Sequence, residues 1–493
     1  MSTGRLQQSL AAPPVILWVR LDFRLADNPA LAAALKCGGP IIPLFIWSPD
    51  EDGEWSPGGA TKWWLHQTLG AFDASLRESD SRLVIRRGTA IELLRSILNE
   101  TGACAVFWNR RYEPDTIARD KKIKESLKAE GIAAESFNAA LLHEPWTISN
   151  KSGNPFQVFT PYWKHCLTKP DPDEPLPAPR AIPAPAQFPK SLAIAELGLE
   201  PRINWASGLK EAWQPGEAGA RAALKRFLAG TFVNYSETRN RPDQIGTSRL
   251  SPHLHFGEIS PRQVWHGLRT AAGRQGLPLQ EWRGSQFLTE LGWREFAHHL
   301  LFHFPKTPVE PLKAQFNKFP WRSEQDWLER WQRGQTGYPI VDAGMRELWA
   351  TGWMHNRVRM IVASFLVKDL LHPWQDGARW FWDTLVDADL AQNTLGWQWT
   401  AGCGADAAPY FRVFNPTSQG EKFDPRGVYV RLWCPELAKL SDEWIHQPHK
   451  APTTILLAAG IKLGDVYPEP IVSHAIAREV ALEAYQKIRQ KAV

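Results

Sequence analysis

The sequence predicts a Rossmann-like α/β domain with a parallel sheet, a long connector, and then an all-α domain. Three observations carry this. Short, wholly apolar runs alternate with helical patterns near the N-terminus, as in a sheet covered on both faces. A Pro-rich stretch, Lys169 to Lys190, follows them. Beyond about residue 215 strand signals fade and amphipathic helical patterns take over. The boundaries expected are 14–145, 146–215 and 216–490.

Val15–Val19, Ile41–Trp47, Leu83–Ile85 and Ala105–Trp108 read as strands buried on both faces. Between them Pro29–Lys36, Thr61–Arg77, Ile91–Thr101 and Ile117–Glu130 read as helices. No GxGxxG follows the first strand, which disfavours a dinucleotide-binding dehydrogenase. The Pro-rich stretch forms a stiff, extended connector. Helices are expected over 217–229, 261–272, 285–302, 323–333, 341–351 and 353–368. Ser260-Pro261-Arg262-Gln263 reads as a capping box with Pro at the first helical position.

Composition excludes several classes. The chain has 493 residues, 43% hydrophobic and 22% charged, as in ordinary globular proteins. No apolar run reaches membrane-spanning length, and the first 14 residues lack the apolar core of a secretion signal, so the cytoplasm is expected. Five scattered cysteines form no CxxC pair, which argues against a zinc ribbon. A net charge of +5 permits a polyanionic partner. The 25 tryptophans are about four times an average share. Most serve packing, and the excess hints at aromatic chemistry.

Four stretches of the helical part concentrate functional groups. Gly246–Pro252 is a hydroxyl-rich loop before a helix start, read either as a phosphate cradle of free N–H groups and helix dipole or as a capped helix. In Gln286–Phe296, Glu290 and Trp293 share a helical face and Arg294 stands at i+4 from Glu290. This is a grip for a flat ligand, or an ion pair beside a core tryptophan. In Thr351–Met360, Trp353, Asn356 and Met360 share a face at i, i+3 and i+7, with Arg357 and Arg359 pointing elsewhere. Asp387–Trp399 is dense in carboxylates and amides between indoles, suiting a polar heterocycle better than a metal ion. His299 and His303 have metal-pair spacing without the Glu of HExxH and read as ordinary histidines.

Together these stretches resemble the photolyase/cryptochrome family over nearly the whole chain. Arg20-Leu21-Asp22-Phe23-Arg24-Leu25-Ala26-Asp27-Asn28 resembles the family motif after the first strand. Residues 338–343 (Tyr-Pro-Ile-Val-Asp-Ala), 352–357 (Gly-Trp-Met-His-Asn-Arg) and 414–424 (Phe-Asn-Pro-Thr-Ser-Gln-Gly-Glu-Lys-Phe-Asp) are very specific together. The resemblance implies FAD in the helical domain, contacted by Tyr235, Thr247, Ser248, Arg249, Leu250, Ser251, Arg294, Asp387 and Asp389. It implies an Arg359–Asp387 salt bridge beside the isoalloxazine and Asn393 opposite its N5.

It further implies a flipped-out cyclobutane pyrimidine dimer held by Glu290, Trp293, Asn356, Met360 and Trp399. Arg241, Arg357, Arg412 and Lys422 match DNA-backbone contacts, and Trp397, Trp374 and Trp321 match an electron path to the surface. The implied activity is light-dependent repair, one electron from excited reduced FAD opening the dimer in UV-damaged DNA. A monomer is expected, cytoplasmic and associated with the nucleoid when on damaged DNA.

Within the family, the alternatives are a cryptochrome photoreceptor, a (6-4) enzyme and the single-strand-specific branch. Asn393 stands where plant cryptochromes carry Asp, Met360 and Asn356 resemble the dimer pocket, and the chain ends at Val493 without a long polar tail. Residues 56–65 and 393–397 resemble the bacterial class III group. That group implies a 5,10-methenyltetrahydrofolate antenna, with Trp47–Trp55 and Asn109–Glu113 as its expected pocket; a deazaflavin or no antenna stays open. A non-enzymatic DNA-binding flavoprotein is a further alternative, one that would tolerate loss of Glu290.

Overall fold

A computed structural model describes residues 12–407 and 412–490. Five parallel strands form the sheet: β1 (Val15–Val19), β2 (Ile41–Trp47), β3 (Val84–Arg87), β4 (Ala105–Asn109) and β5 (Ala133–Phe137). Their order is β3-β2-β1-β4-β5. Successive residues feed opposite cores. Val15, Leu17 and Val19 pack with Ile41 and Phe45 on one face; Ile16 and Trp18 pack with Ile42 and Leu44 on the other. Two buried faces leave no place for polar alternation, which is why these strands read as continuous apolar runs. Helices α1 (Pro29–Lys36), α2 (Gly59–Arg77), α3 (Ala90–Thr101) and α4 (Pro114–Ala129) are the crossovers. Asn28 caps α1, its side chain accepting the Leu31 N–H at 3.1 Å.

The stretch expected as connector carries structure of its own. Helix Phe159–Cys166 packs against helix Gln286–His303, with Phe159 stacked on Trp293 at 3.8 Å and Trp163 filling the space over Gly292. The remainder of the described chain forms helices joined by loops, with no further strand. Gln286–His303 and Leu390–Ala401 pack together, and Asn356–Ser364 and Trp374–Thr384 pack on the latter. The Ser260 capping box forms as expected, with Gln263 N–H donating to Ser260 Oγ at 3.0 Å.

The Arg20–Asn28 motif joins the two parts. The buried Arg24 guanidinium donates to the carbonyls of Asp27 (2.7 Å), Ala139 (2.9 Å) and Gly257 (2.8 Å). The Asp27 carboxylate accepts from Ser260 Oγ at 2.5 Å and pairs with Arg262 at 2.7 Å. Gly257 is a position where only glycine fits: its φ is 63°, and a Cβ would lie 2.1 Å from the Leu21 carbonyl oxygen. No helix among the described residues is long and apolar enough to cross a membrane.

Candidate active site

The helix expected to begin at Trp353 begins at Asn356 instead. Gly352, at φ 67°, ends the preceding helix Pro339–Thr351, and the His355 ring accepts the Arg357 N–H at 3.2 Å as the new cap. Trp353 therefore shares no helical face with Asn356 and Met360, contrary to the spacing argument. Within Asn356–Ser364, Asn356 is exposed, while Arg359 and Met360 are half-buried. Arg359 donates to the Met354 carbonyl at 2.8 Å and pairs with Asp387 at 2.9 Å. The Arg359–Asp387 bridge thus exists as the motif match implies.

Asp389 is the cap of helix Leu390–Ala401, accepting the Gln392 N–H at 2.9 Å. Burial resists its charge, but His298 (3.6 Å), His255 (3.7 Å) and Arg294 surround it and hold its carboxyl far below the usual range. One turn on, Asn393 donates to the Ala378 carbonyl at 3.0 Å. Trp397 is buried, and its ring covers Gly377, where a Cβ would lie 2.1 Å from the indole. Trp374 begins that same helix. Half-buried Trp321 packs against the same hydrophobic core as Trp374, on a segment that Arg322 N–H ties to the Leu371 carbonyl at 2.8 Å.

Glu290 does not pair with Arg294, the i+4 partner. Arg294 turns instead to the Ala140 carbonyl at 2.6 Å, and Arg239 takes Glu290 at 2.7 Å. Gln286 donates to the same carboxylate at 2.8 Å. Burial pushes the Glu290 carboxyl above its ordinary value, against the pull of Arg239 and then of Gln286. Burial likewise pushes the nearby Tyr235 hydroxyl up, and the Glu290 charge adds to it. Oδ1 of the adjacent Asn240 accepts from Nη2 and Nε of Arg357, at 2.8 and 3.2 Å.

Sequence reasoning missed Arg239 and Asn240, because neither lies at helical spacing from its partner. Arg357 and Lys422 converge on Phe423, at 4.5 and 5.3 Å from its ring. Arg241 closes a bidentate pair with Asp243 at 2.8 and 2.5 Å. Trp399 and Trp293 are half-buried; Arg412 is exposed.

The phosphate-cradle reading needs one correction. The helix after the loop, Ser251–His255, is a single turn, so it brings little dipole. The loop itself does suit a phosphate: among the described residues the N–H groups of Thr247, Ser248 and Arg249 meet no acceptor. The hydroxyls of Thr247 and Ser248 are half-buried beside them, Ser251 is exposed and Leu250 is buried beneath. Unpaired amides, the Arg359–Asp387 pair and the Asn393 amide on one helical framework fit a flavin dinucleotide. His299 and His303 serve backbone groups, Nε2 of His299 accepting the Phe156 N–H at 3.1 Å.

Between the domains, a cleft is lined by Trp47, Ser48, Asp52, Trp55, Arg111 and Glu113. These residues lie within the segments expected to hold an antenna.

Glu295 marks the seam between the domains. One carboxylate oxygen accepts the N–H groups of Leu142 and His143 at 2.9 and 3.1 Å; the other has no hydrogen-bond partner among the described residues. Burial pushes this carboxyl up to about 7. A carboxyl raised on folding stabilises fully below its unfolded value, near 4.5, and the contribution is lost as pH rises through about 7. Wild type should therefore lose roughly 3 kcal/mol relative to Glu295→Gln between these pH values. Denaturant melts of both proteins across that range check this; parallel curves would refute it.

A sheet domain with a cleft at its joint and a helical domain whose unpaired amides, ion pair and indoles suit FAD define a two-domain flavoprotein. Residues 15–181 match the model described as DNA photolyase, and residues 287–487 that of the FAD binding domain of DNA photolyase. The chain is 48% identical to the deoxyribodipyrimidine photo-lyase of Agrobacterium fabrum over 98% of this chain and 99% of that one. It is 43% identical to cryptochrome-1 of Arabidopsis thaliana over 96% of this chain and 70% of that one. The crystal structure of a bacterial class III photolyase from Agrobacterium tumefaciens superposes with a TM-score of 0.94 at 47% identity, covering 99% of this chain and 100% of that one. The chain belongs to the photolyase/cryptochrome family, and its helical domain binds FAD.

Proposed function

We propose that this protein repairs cyclobutane pyrimidine dimers in UV-damaged DNA by light, as a class III photolyase. The observation that carries the reading is the Glu290 carboxyl, raised by burial and held between Arg239 and Gln286 beside Trp293. The chemistry FAD supplies when bound and reduced is one light-driven electron, which opens the cyclobutane ring and is returned. The chain's residues do the rest. Thr247, Ser248, Arg249, Leu250 and Ser251 hold the cofactor's phosphates, with Tyr235 and Asp389 nearby. Arg294 acts through its hold on the 139–143 segment. Arg359 and Asp387 fix one edge of the flavin ring, and Asn393 presents a neutral amide to it.

Glu290 hydrogen-bonds the flipped dimer and stabilises charge that develops on it. Asn356 and Met360 line the pocket, and Trp293 and Trp399 form its apolar walls. Arg357, Lys422, Arg241 and Arg412 position the phosphodiester backbone without reading sequence. The interdomain cleft takes 5,10-methenyltetrahydrofolate as antenna. The protein works as a cytoplasmic monomer and joins the nucleoid on damaged DNA.

The deciding experiment mixes reduced protein with an oligonucleotide carrying one thymine dimer and follows thymine absorbance in light and dark. Light-dependent recovery supports repair; none, with FAD bound and reducible, overturns it. In the same assay Glu290→Ala should repair about tenfold more slowly or worse, since a preorganised group aimed at developing charge is lost. Its DNA affinity should hold or rise, because Arg239 is freed for phosphate. Wild-type repair by Glu290→Ala would remove Glu290 from the mechanism. The likeness to cryptochrome-1 supports a photoreceptor as a second, weaker reading; Asn393 and Met360 speak against it.

A further inference from the structure

Arg249 stands in the flavin-phosphate loop with its backbone in an unfavourable region. Its φ is 53°, left-handed and disfavoured for a residue with a Cβ. Its side chain lies between two indoles. The guanidinium carbon is 4.6 Å from the Trp213 ring and 4.6 Å from the Trp353 ring. No salt bridge reaches it among the described residues: Glu347 and Asp387 attract it from a distance, and its buried Nε has no acceptor. The two rings are this cation's near neighbours.

Both rings are anchored. Trp213, from the stretch joining the two domains, donates to the Thr351 carbonyl at 2.8 Å and meets Trp64 of α2 edge-on at 5.4 Å. Trp353 follows the left-handed Gly352 cap, with its ring 6.4 Å from that of Trp213. At the loop's other end Gly246 presses on the Thr238 carbonyl, where a Cβ would lie 2.5 Å away. Between these fixed points lie the unpaired amides of Thr247, Ser248 and Arg249.

We propose that Trp213 and Trp353 are positioning residues for the flavin loop, clamping the Arg249 side chain between their indoles so that the left-handed turn and its unpaired amides persist. The rings are inclined at 69°, so they form a corner in which one cation lies over the negative face of each. The clamp makes FAD retention depend on the interdomain stretch through Trp213, a residue with no part in the sequence-derived site. The proposal rests on the reading that this loop takes the FAD phosphates.

Three variants test it: Arg249→Gly, Trp213→Phe and Trp213→Leu. Glycine accepts the left-handed φ but loses the clamp. Phenylalanine and leucine both lose the Thr351 bond, and only phenylalanine keeps an aromatic face. FAD affinity, titrated on apoprotein by flavin fluorescence, should fall about tenfold in Arg249→Gly and in Trp213→Leu, and about threefold in Trp213→Phe. Wild-type affinity in Arg249→Gly would mean the loop asks only for backbone freedom, and the clamp would be wrong. Equal losses in the phenylalanine and leucine variants would reduce Trp213 to packing.

Amide hydrogen exchange at 247–250 in flavin-free protein reads the clamp without the cofactor. It should quicken in Arg249→Gly and Trp213→Leu; unchanged exchange overturns the proposal whether or not the wild type takes up FAD. If Trp213→Leu does not fold, Arg249→Lys decides, because it keeps the charge but loses the broad guanidinium that reaches both rings at once. It should fall between wild type and Arg249→Gly, and wild-type affinity would overturn the clamp.

Discussion

Arg24→Ala should destabilise the protein by about 3–5 kcal/mol and let its two domains melt separately. The size follows from what the guanidinium leaves behind. Its donors serve three carbonyls drawn from three places: Asp27 in its own turn, Ala139 beyond β5 and Gly257 in the helical domain. A typical hydrogen bond contributes about 1 kcal/mol net, but a buried acceptor left without a donor costs about 1–3 kcal/mol. Arg24 is only 1% exposed, so water cannot replace it cheaply. Burial pushes its guanidinium below the usual range, and Asp27 and Asp22 offset this. Without it, Asp27 keeps Arg262 and Ser260 but loses the support of its own carbonyl. Arg24→Lys should recover little, since an ammonium cannot span three acceptors in a plane. Thermal unfolding followed at domain-specific signals checks this. A single transition within about 1 kcal/mol of wild type would contradict it.

The same motif shows where sequence reading reaches its limit. Arg20–Asn28 was legible as a signature, yet its work is done with Ala139, Glu217, Gly257 and Ser260, partners remote in the chain. Much of the fold was legible because period and capping are local. The buried strands show as apolar runs, and Ser260 shows its cap. The strand β5 was missed: Ala133–Phe137 lies at the sheet edge with only Ala134 buried, so it lacks the apolar run. The Trp353 helix start was misplaced because His355 is an uncommon cap, and the residues before it carry no helix-breaking signal except Gly352. Helical spacing leaves Glu290 open to a ligand grip or to an ion pair with Arg294; in the fold Arg239 takes Glu290 and Arg294 bonds the Ala140 carbonyl, a choice that spacing does not encode.

Two of the specific motifs prove to hold structure at least in part. Asp342, in the 338–343 motif, accepts from Thr336, Gly337 and Tyr467, and Asp424, closing the 414–424 motif, accepts the N–H groups of Tyr429 and Val430. A motif thus marks a place in the family without saying whether its residues bind, react or brace. Position relative to the Arg359–Asp387 pair and Asn393 makes that distinction, and it is set by the three-dimensional fold.

Trp397→Phe should separate photoreduction from repair. Trp397 is 2% exposed, and its indole N–H has no acceptor among the described residues. A tryptophan oxidised there finds no local base for its proton, which favours passing the charge outward over trapping it. Gly377 lets the next helix lie against the ring face, and that helix opens with buried Trp374. Trp321, on the segment tied to Leu371, reaches partial exposure where an external thiol can deliver an electron. Phenylalanine preserves an aromatic core beside Phe381, 5.0 Å from the Trp397 ring, and leaves a cavity costing about 1–2 kcal/mol. Phenylalanine is much harder to oxidise, so it breaks the path without emptying the site. Light-driven reduction of bound oxidised FAD by thiol should slow by at least an order of magnitude. Repair by chemically reduced Trp397→Phe should proceed at the wild-type rate, because the repair electron starts and ends at the flavin. If photoreduction survives, electrons enter by another route and Trp397 is a packing residue. If repair by pre-reduced protein is lost as well, the substitution has disturbed Asn393 on the same helix and the flavin seat with it.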